Sequence, residues 1–203
     1  MGEENKKTDW AEMIHLFPEK KQIDLRKLTA RLEKPKGRVD VILDTDTYNE
    51  IDDQFALAYL IKSDEKLDLQ AIYAAPFYNH HSSGPGDGME KSYQEIMKVL
   101  DLMGRQEFKE VTYRGSTTYL PSEEEAVDSP AARDLVRRAM ERKEDDPLYV
   151  VAIGAITNIA SAILLEPEIV NRIVVVWLGG NALEWHDNHE FNLFQDIAAA
   201  RII

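Results

Sequence analysis

The stretch Val39-Asp40-Val41-Ile42-Leu43-Asp44-Thr45-Asp46-Thr47-Tyr48-Asn49-Glu50-Ile51-Asp52-Asp53 decides the fold. Its first half carries the apolar, β-branched run Val39, Val41, Ile42 and Leu43 and stops abruptly in acidic and polar residues. That is the pattern of a buried parallel strand reaching the carboxyl edge of its sheet. Asp52 and Asp53 then sit in the first turn of a helical pattern from Ile51 to Ile61, where the helix dipole favours negative charge. Spacings of three put Phe55, Ala58 and Ile61 on the expected apolar face of that helix.

The alternation repeats outward from this unit. Leu69 to Ala75 reads as a strand, Met89 to Met103 as a helix, Val111 to Arg114 as a short strand and Ala131 to Arg142 as a helix. Leu148 to Ile153, Ile156 to Leu165 and Ile173 to Leu178 continue as strand, helix and strand, and a last helical pattern begins near Leu193. Such alternation predicts right-handed βαβ crossovers and an α/β fold, an open, mostly parallel twisted sheet with helices on both faces. Chemistry in such sheets sits at the carboxyl ends of the strands. Residues 1–36 read as a polar extension, with one amphipathic segment around Leu25, Leu28 and Leu32, and 37–203 as the α/β domain. The last pattern runs to Ile203 with no Gly, Asn or Pro to stop it, so the domain is expected to continue further.

Composition narrows the function. The 203 residues hold 24 Lys and Arg against 37 Asp and Glu, a formal charge of −13, which argues against nucleic-acid or anionic-membrane partners. With no cysteine, disulfides and thiolate chemistry are excluded, and any metal must be held by oxygen or histidine. Met1 to Lys7 lacks an apolar signal core, and Tyr149 to Leu165 is interrupted by Gly154, Thr157, Asn158 and Ser161, so a soluble, cytoplasmic protein is expected.

Asp44, Asp46, Glu50, Asp52 and Asp53 put five carboxylates into ten residues. The bland reading is a solvated acidic turn with helix-start charges. Position favours another: Asp44 and Asp46 lie two apart at a strand end, and Asp52 and Asp53 open the helix that folds back beside it. Carboxylates converging on one crevice repel unless a raised pKa or a cation compensates, and oxygen-only ligands select calcium or magnesium over zinc.

These residues resemble a known family. Val41-Ile42-Leu43-Asp44-Thr45-Asp46 with Ile51-Asp52-Asp53-Gln54-Phe55-Ala56-Leu57 resembles the amino-terminal signature of the inosine-uridine nucleoside hydrolases. Val151 to Ala160 is similar to that family's second strand-turn-helix block, and Glu166-Pro167 with Ile173 to Gly180 to its next strand and Gly-Gly turn. Glu190-Phe191-Asn192 matches its Glu-Phe-Asn triplet, and Gln195 to Ala200 looks like its following helix start. The resemblance covers about residues 39–203 and implies a Rossmann-like nucleoside hydrolase fold. It implies calcium as cofactor, with Asp46, Asp53 and the main-chain carbonyl of Ile153 as ligands. It implies Asp46 as the general base toward a calcium-bound water, Asp44 as a supporting carboxylate behind the ligands, and Asp52, Asn79, Glu190 and Asn192 as ribose-binding residues. The implied reaction is hydrolysis of the N-glycosidic bond of a small ribonucleoside by a homo-oligomer, a dimer or tetramer.

Departures from the pattern carry their own expectations. Thr47-Tyr48-Asn49-Glu50 stands where the family has Pro-Gly, lengthening the metal loop by two residues. The family's His-Gly segment has no counterpart between Tyr119 and Ala131, and its C-terminal His-Asp pair has none in this chain. The glycine-rich stretch from Asn79 to Gly88, with His80 and His81, reads as a mobile loop, and Trp185 as a loop residue able to stack on a base. Two alternatives accompany the hydrolase reading. A haloacid dehalogenase-like phosphatase also opens with a strand and Asp-x-Asp, with Asp44 as nucleophile and magnesium as cofactor, although Tyr48 stands where that motif has Thr or Val. The other is a catalytically inactive ribose- or calcium-binding relative.

Overall fold

The structure, a computed structural model, describes residues 25–203. The chain divides between Lys36 and Gly37 into two units. In the first, the described residues form one helix, α1 (Leu25–Leu32). The second unit alternates strands and helices throughout: β1 (Val39–Thr45), α2 (Ile51–Lys62), β2 (Leu67–Ala74), α3 (Pro85–Met103), β3 (Thr112–Arg114), α4 (Pro130–Met140), β4 (Leu148–Ala152), α5 (Thr157–Leu165) and β5 (Ile173–Trp177). Two short helices, α6 (Phe191–Gln195) and α7 (Ile197–Ile202), follow.

All strand pairs are parallel, in the order β3-β2-β1-β4-β5. The chain winds from β1 outward to β3, then returns across β1 to β4 and β5, so the direction of winding reverses between β1 and β4. An open α/β sheet has its crevice at such a switch point. β1 is the central strand, and from Val41 to Thr45 it is buried without interruption because helices cover both faces. On one face Val41, Leu43 and Ile72 pack with Leu57, Leu60 and Ile61 of α2 and Ile96 and Leu100 of α3. On the other, Ile42, Ala71 and Val150 pack with Leu135 of α4, Ile159 of α5 and Ala199 of α7. No helix among the described residues is long and apolar enough to cross a membrane.

Three local expectations are corrected. The buried residues of α2 are Asp53, Leu57, Leu60 and Ile61, while Phe55 is 69% exposed. Asp53 faces inward to meet the β1 edge, and a residue two positions away on a helix lies on the opposite side, which carries Phe55 outward. The glycine-rich stretch is not a loop to its end: α3 begins at Pro85, with Pro at its first position and Gly84 as cap. Gly88 is required there by packing, since a Cβ would lie 2.0 Å from the Phe77 carbonyl oxygen. The last helical pattern is broken in two at Asp196, whose side chain accepts from Ala199 N–H and so starts α7 afresh.

Candidate active site

β1 delivers Asp44 and Asp46 to the switch point, and both are buried, at 0% and 1% exposure. Asp44 Oδ1 accepts from Asn158 Nδ2 at 2.7 Å, while Asp44 Oδ2 and Asp46 Oδ2 are buried with no hydrogen-bond partner. Burial raises the Asp44 carboxyl from 3.8 to about 7, against the lowering by Asn158. Burial also holds Asp46 well above the carboxylate range, reinforced by the charges of Asp53 and Asp44. Two partnerless carboxylate oxygens in one buried spot are an unstable arrangement unless a proton or a cation joins them.

Asp53 reaches the same spot from the first turn of α2. Its Oδ1 accepts a short hydrogen bond from Thr45 Oγ1, and Thr45 in turn is 2.9 Å from Thr47 Oγ1. Burial raises it to about 7, the Thr45 hydrogen bond opposing, and the neighbouring Asp52 and Glu50 charges push the same way. Asp52 itself is exposed on the outer side of that turn. The structure therefore couples Asp44, Asp46 and Asp53 electrostatically and leaves Asp52 at the solvent margin.

From the other side of the switch point, the turn after β4 is moulded to the cluster. A Cβ on Gly154 would lie 2.9 Å from Asp46 Oδ1, so only glycine lets the turn approach the carboxylate this closely. Four residues on, the fully buried Asn158 donates to Asp44 and to Ala74 O at 3.2 Å and accepts from Ser116 N–H at 2.7 Å. One carboxamide thus joins the ends of β1, β2 and β3. The sequence showed Asn158 only as part of a strand-turn-helix block, because its role depends on partners 42 to 114 residues away.

Glu190 and Asn192 come in through α6. Glu190 caps that helix, accepting from the N–H groups of Asn192 at 2.9 Å and Leu193 at 3.0 Å, and it also accepts from Gly180 N–H at 2.8 Å. Asn192 Nδ2 donates to Ile153 O at 3.1 Å and Leu178 O at 2.9 Å, tying the ends of β4 and β5 together. The Ile153 carbonyl already carries one donor, while the Ile153 N–H donates to the Asp44 main-chain carbonyl at 2.9 Å. Asn79, past the end of β2, is half-buried, with Nδ2 on Asn49 Oδ1 at 2.6 Å and Oδ1 taking the His81 N–H at 2.8 Å. Asp196 is buried and accepts from Leu120 N–H at 2.9 Å and Thr157 Oγ1 at 2.7 Å, which binds the loops after β3 and β4. The sequence showed Gln195 and Asp196 only as the opening of the family-like helix start from Gln195 to Ala200, without the distant partners they hold.

Among the described residues no group of three or more His, Cys, Asp or Glu side chains is arranged to hold a metal ion. The donor chemistry nevertheless fits a hard cation as part of a shell: two partnerless buried carboxylate oxygens, a third carboxylate beside them, and no thiolate.

The family described as inosine-uridine preferring nucleoside hydrolase matches residues 41–203. The inosine-uridine preferring nucleoside hydrolase of Leishmania major is 35% identical over 98 residues, 45% of this chain and 30% of that protein. A pyrimidine-specific ribonucleoside hydrolase, RihA, of Escherichia coli O1:K1 / APEC is 25% identical over 187 residues, 80% of this chain and 56% of that protein. Among solved structures, the purine-preferring ribonucleoside hydrolase from Gardnerella vaginalis superposes with a TM-score of 0.55 at 26% identity, covering 80% of this chain and 56% of that one. The type III effector XopQ, solved with adenosine diphosphate ribose, has a TM-score of 0.59 at 21% identity over 88% of this chain and 56% of its own, a likeness of fold. The chain thus spans from 30% to just over half of the length of these curated relatives. Matched over more than half its length in the order of segments just described, the chain belongs to the inosine-uridine preferring nucleoside hydrolase family.

Proposed function

We propose that this chain carries the water-activating half of a ribonucleoside hydrolase, which cleaves the N-glycosidic bond to give ribose and free base. The observation that carries the reading is the pair of buried, partnerless oxygens Asp44 Oδ2 and Asp46 Oδ2 at the topological switch point. Asp46 is the base: its free oxygen takes the proton of the attacking water as the C1′–O bond forms and the C1′–N bond breaks, the nucleobase leaving with that electron pair and taking a proton from solvent, to which Asp46 later returns its own. Burial and the neighbouring carboxylates favour the protonated form of Asp46, and a bound cation would favour the ionised form that can take the proton of water. Asp46, Asp53 and the Ile153 carbonyl are the proposed holders of a divalent cation, calcium, with Asp44 behind them. When bound, such a cation offsets the clustered charge and polarises oxygen ligands. The remaining negative charge favours a sugar that turns cationic at C1′ in the transition state. Asp52, at the solvent margin, and Asn79, Glu190 and Asn192, on the facing segments, are the proposed ribose contacts.

The test is a reducing-sugar assay over a panel of purine and pyrimidine nucleosides, with and without chelator. Ribose release that chelation abolishes, and that Asp46→Asn removes, is expected. Turnover of phosphate monoesters instead, lost on changing Asp44, would overturn the proposal.

A further inference from the structure

The proposed chemistry leaves unused the cluster around Gln195, which lies where three strand-end segments meet. Gln195 Oε1 accepts from the Tyr78 N–H at 2.7 Å and, by a short bond, from the Tyr119 hydroxyl. Its Nε2 donates to the Tyr78 carbonyl at 3.3 Å. One carboxamide therefore engages both polar groups of a single backbone residue, much as a neighbouring strand does, and takes a phenol as well. The adjacent Asp196 holds Leu120 and Thr157, so α6 and α7 grip the segments after β2, β3 and β4 at one point.

From Tyr78 a chain of contacts leads to the base. Asn79 follows Tyr78 directly, and its Nδ2 donates to Asn49 Oδ1 at 2.6 Å. The Asn49 N–H donates to Asp46 O at 2.7 Å, closing the turn after β1 and setting the Asn49 side chain beside the Asp46 carboxylate, whose charged form it favours. Tyr78 and Asn79 are bonded to Gln195 across 117 residues and to Asn49 across 30. Asn49 belongs to the four residues that lengthen the β1–α2 turn, so this contact chain is a property of the sequence in hand.

We infer that Gln195 is a positioning residue for Asp46, acting through Tyr78, Asn79 and Asn49 to hold the carboxylate in one orientation. The inference rests on Asp46 being the base. It follows from geometry: Asp46 Oδ2 has no protein partner, so the carboxylate's orientation depends on what holds its other groups. A displacement of about 1 Å at a reacting group costs about 100-fold in rate. Gln195 reaches Asp46 through this chain, whose middle member Asn79 is also a proposed ribose contact, so its loss acts chiefly on turnover and to a smaller degree on affinity.

The experiment compares Gln195→Met, which keeps length and bulk while removing every hydrogen bond, with Asn49→Ala and the double variant. Steady-state kinetics use inosine and uridine, and amide hydrogen exchange is followed at Asn49 and His81, the N–H groups bonded within the chain. Gln195→Met is expected to lower kcat by about 10- to 100-fold with KM within about threefold. The double variant is expected to be no slower than the worse single one, because both break one linkage. Exchange at both amides is expected to quicken while the β4 amides keep their protection. Additive losses, a KM effect without a kcat effect, or wild-type exchange at both amides would each overturn the inference. Should the unaltered protein release no ribose, the functional reading fails by itself; the exchange arm then decides whether Gln195 anchors the chain of contacts.

Discussion

Stripped of divalent ions, this protein is expected to become more stable as the pH falls from 7 to 5. Asp44 and Asp53 are raised from 3.8 to about 7, chiefly by burial. A carboxyl group raised on folding keeps its proton in the native state while the unfolded chain has released it. Its contribution is therefore full below pH 3.8 and is lost as the pH climbs through 7. Each such group contributes about 2 kcal/mol more at pH 5 than at pH 7. Coupling between the carboxylates keeps the two from adding fully. At 2–4 °C per kcal/mol for a unit of this size, Tm should stand roughly 5–10 °C higher at pH 5 than at pH 7. Surface carboxylates such as Asp101 and Glu107, which burial does not touch and basic partners hold low, lose their contribution only at more acidic pH. Circular-dichroism melts in chelator at pH 5, 6 and 7 measure the effect. Asp53→Asn should flatten the slope, and calcium added at pH 7 should raise Tm by offsetting the charge that the proton otherwise neutralises. A Tm that is constant or falls between pH 7 and 5 in chelator would refute the reasoning, because the cluster would then be solvated and not buried.

Asp46→Asn should remove both ribose release and the calcium-dependent rise in Tm, read by the sugar assay and by melts. Gly154→Ala puts a methyl group 2.9 Å from Asp46 Oδ1, a side-chain and not a backbone atom, so it should impair turnover and calcium response far more than Tm. Asn158→Ala strands Asp44 Oδ1 and the Ser116 N–H in the interior and should cost about 2–4 kcal/mol in urea denaturation. Gly88→Ala forces a Cβ to 2.0 Å from the Phe77 carbonyl oxygen and, since backbone must move, should cost at least as much by the same measurement.

The alternation of β-branched runs and helical patterns was legible because the central strands are buried on both faces and the helices pack against them. The acidic turn after β1 was legible for the same reason: a strand that stops in carboxylates has few other places to put them. What escaped was set by distant partners. Phe55 resembles a core residue by spacing, yet Asp53 dictates which side of α2 turns inward. Gly84 to Gly88 looks like a flexible tract, yet the Phe77 carbonyl needs the space that a side chain at Gly88 would fill. Asn158, Gln195 and Asp196 were visible only inside family-like blocks, since the hydrogen bonds by which they join separate strand ends span 39 to 117 residues. Glu190 and Asn192 were flagged through resemblance, and their capping and strand-tying bonds appear only in three dimensions.

The central place of β1 also governs how the molecule is made. Its neighbour β2 follows within a few residues of α2, but its other neighbour, β4, arrives only after Leu148. The Asn158–Asp44 bond spans 114 residues and the Asn192–Ile153 bond a further 39. During synthesis, β1 to β3 emerge with the acidic strand end uncovered on one flank, and the crevice closes only when the second half of the chain docks. Late, non-local closure of this kind slows folding. The three carboxylates that repel in the finished crevice stay hydrated until that step. The electrostatic cost of the site thus falls at the end of folding, where an ion arriving with β4 would act on the rate as well as on the final stability.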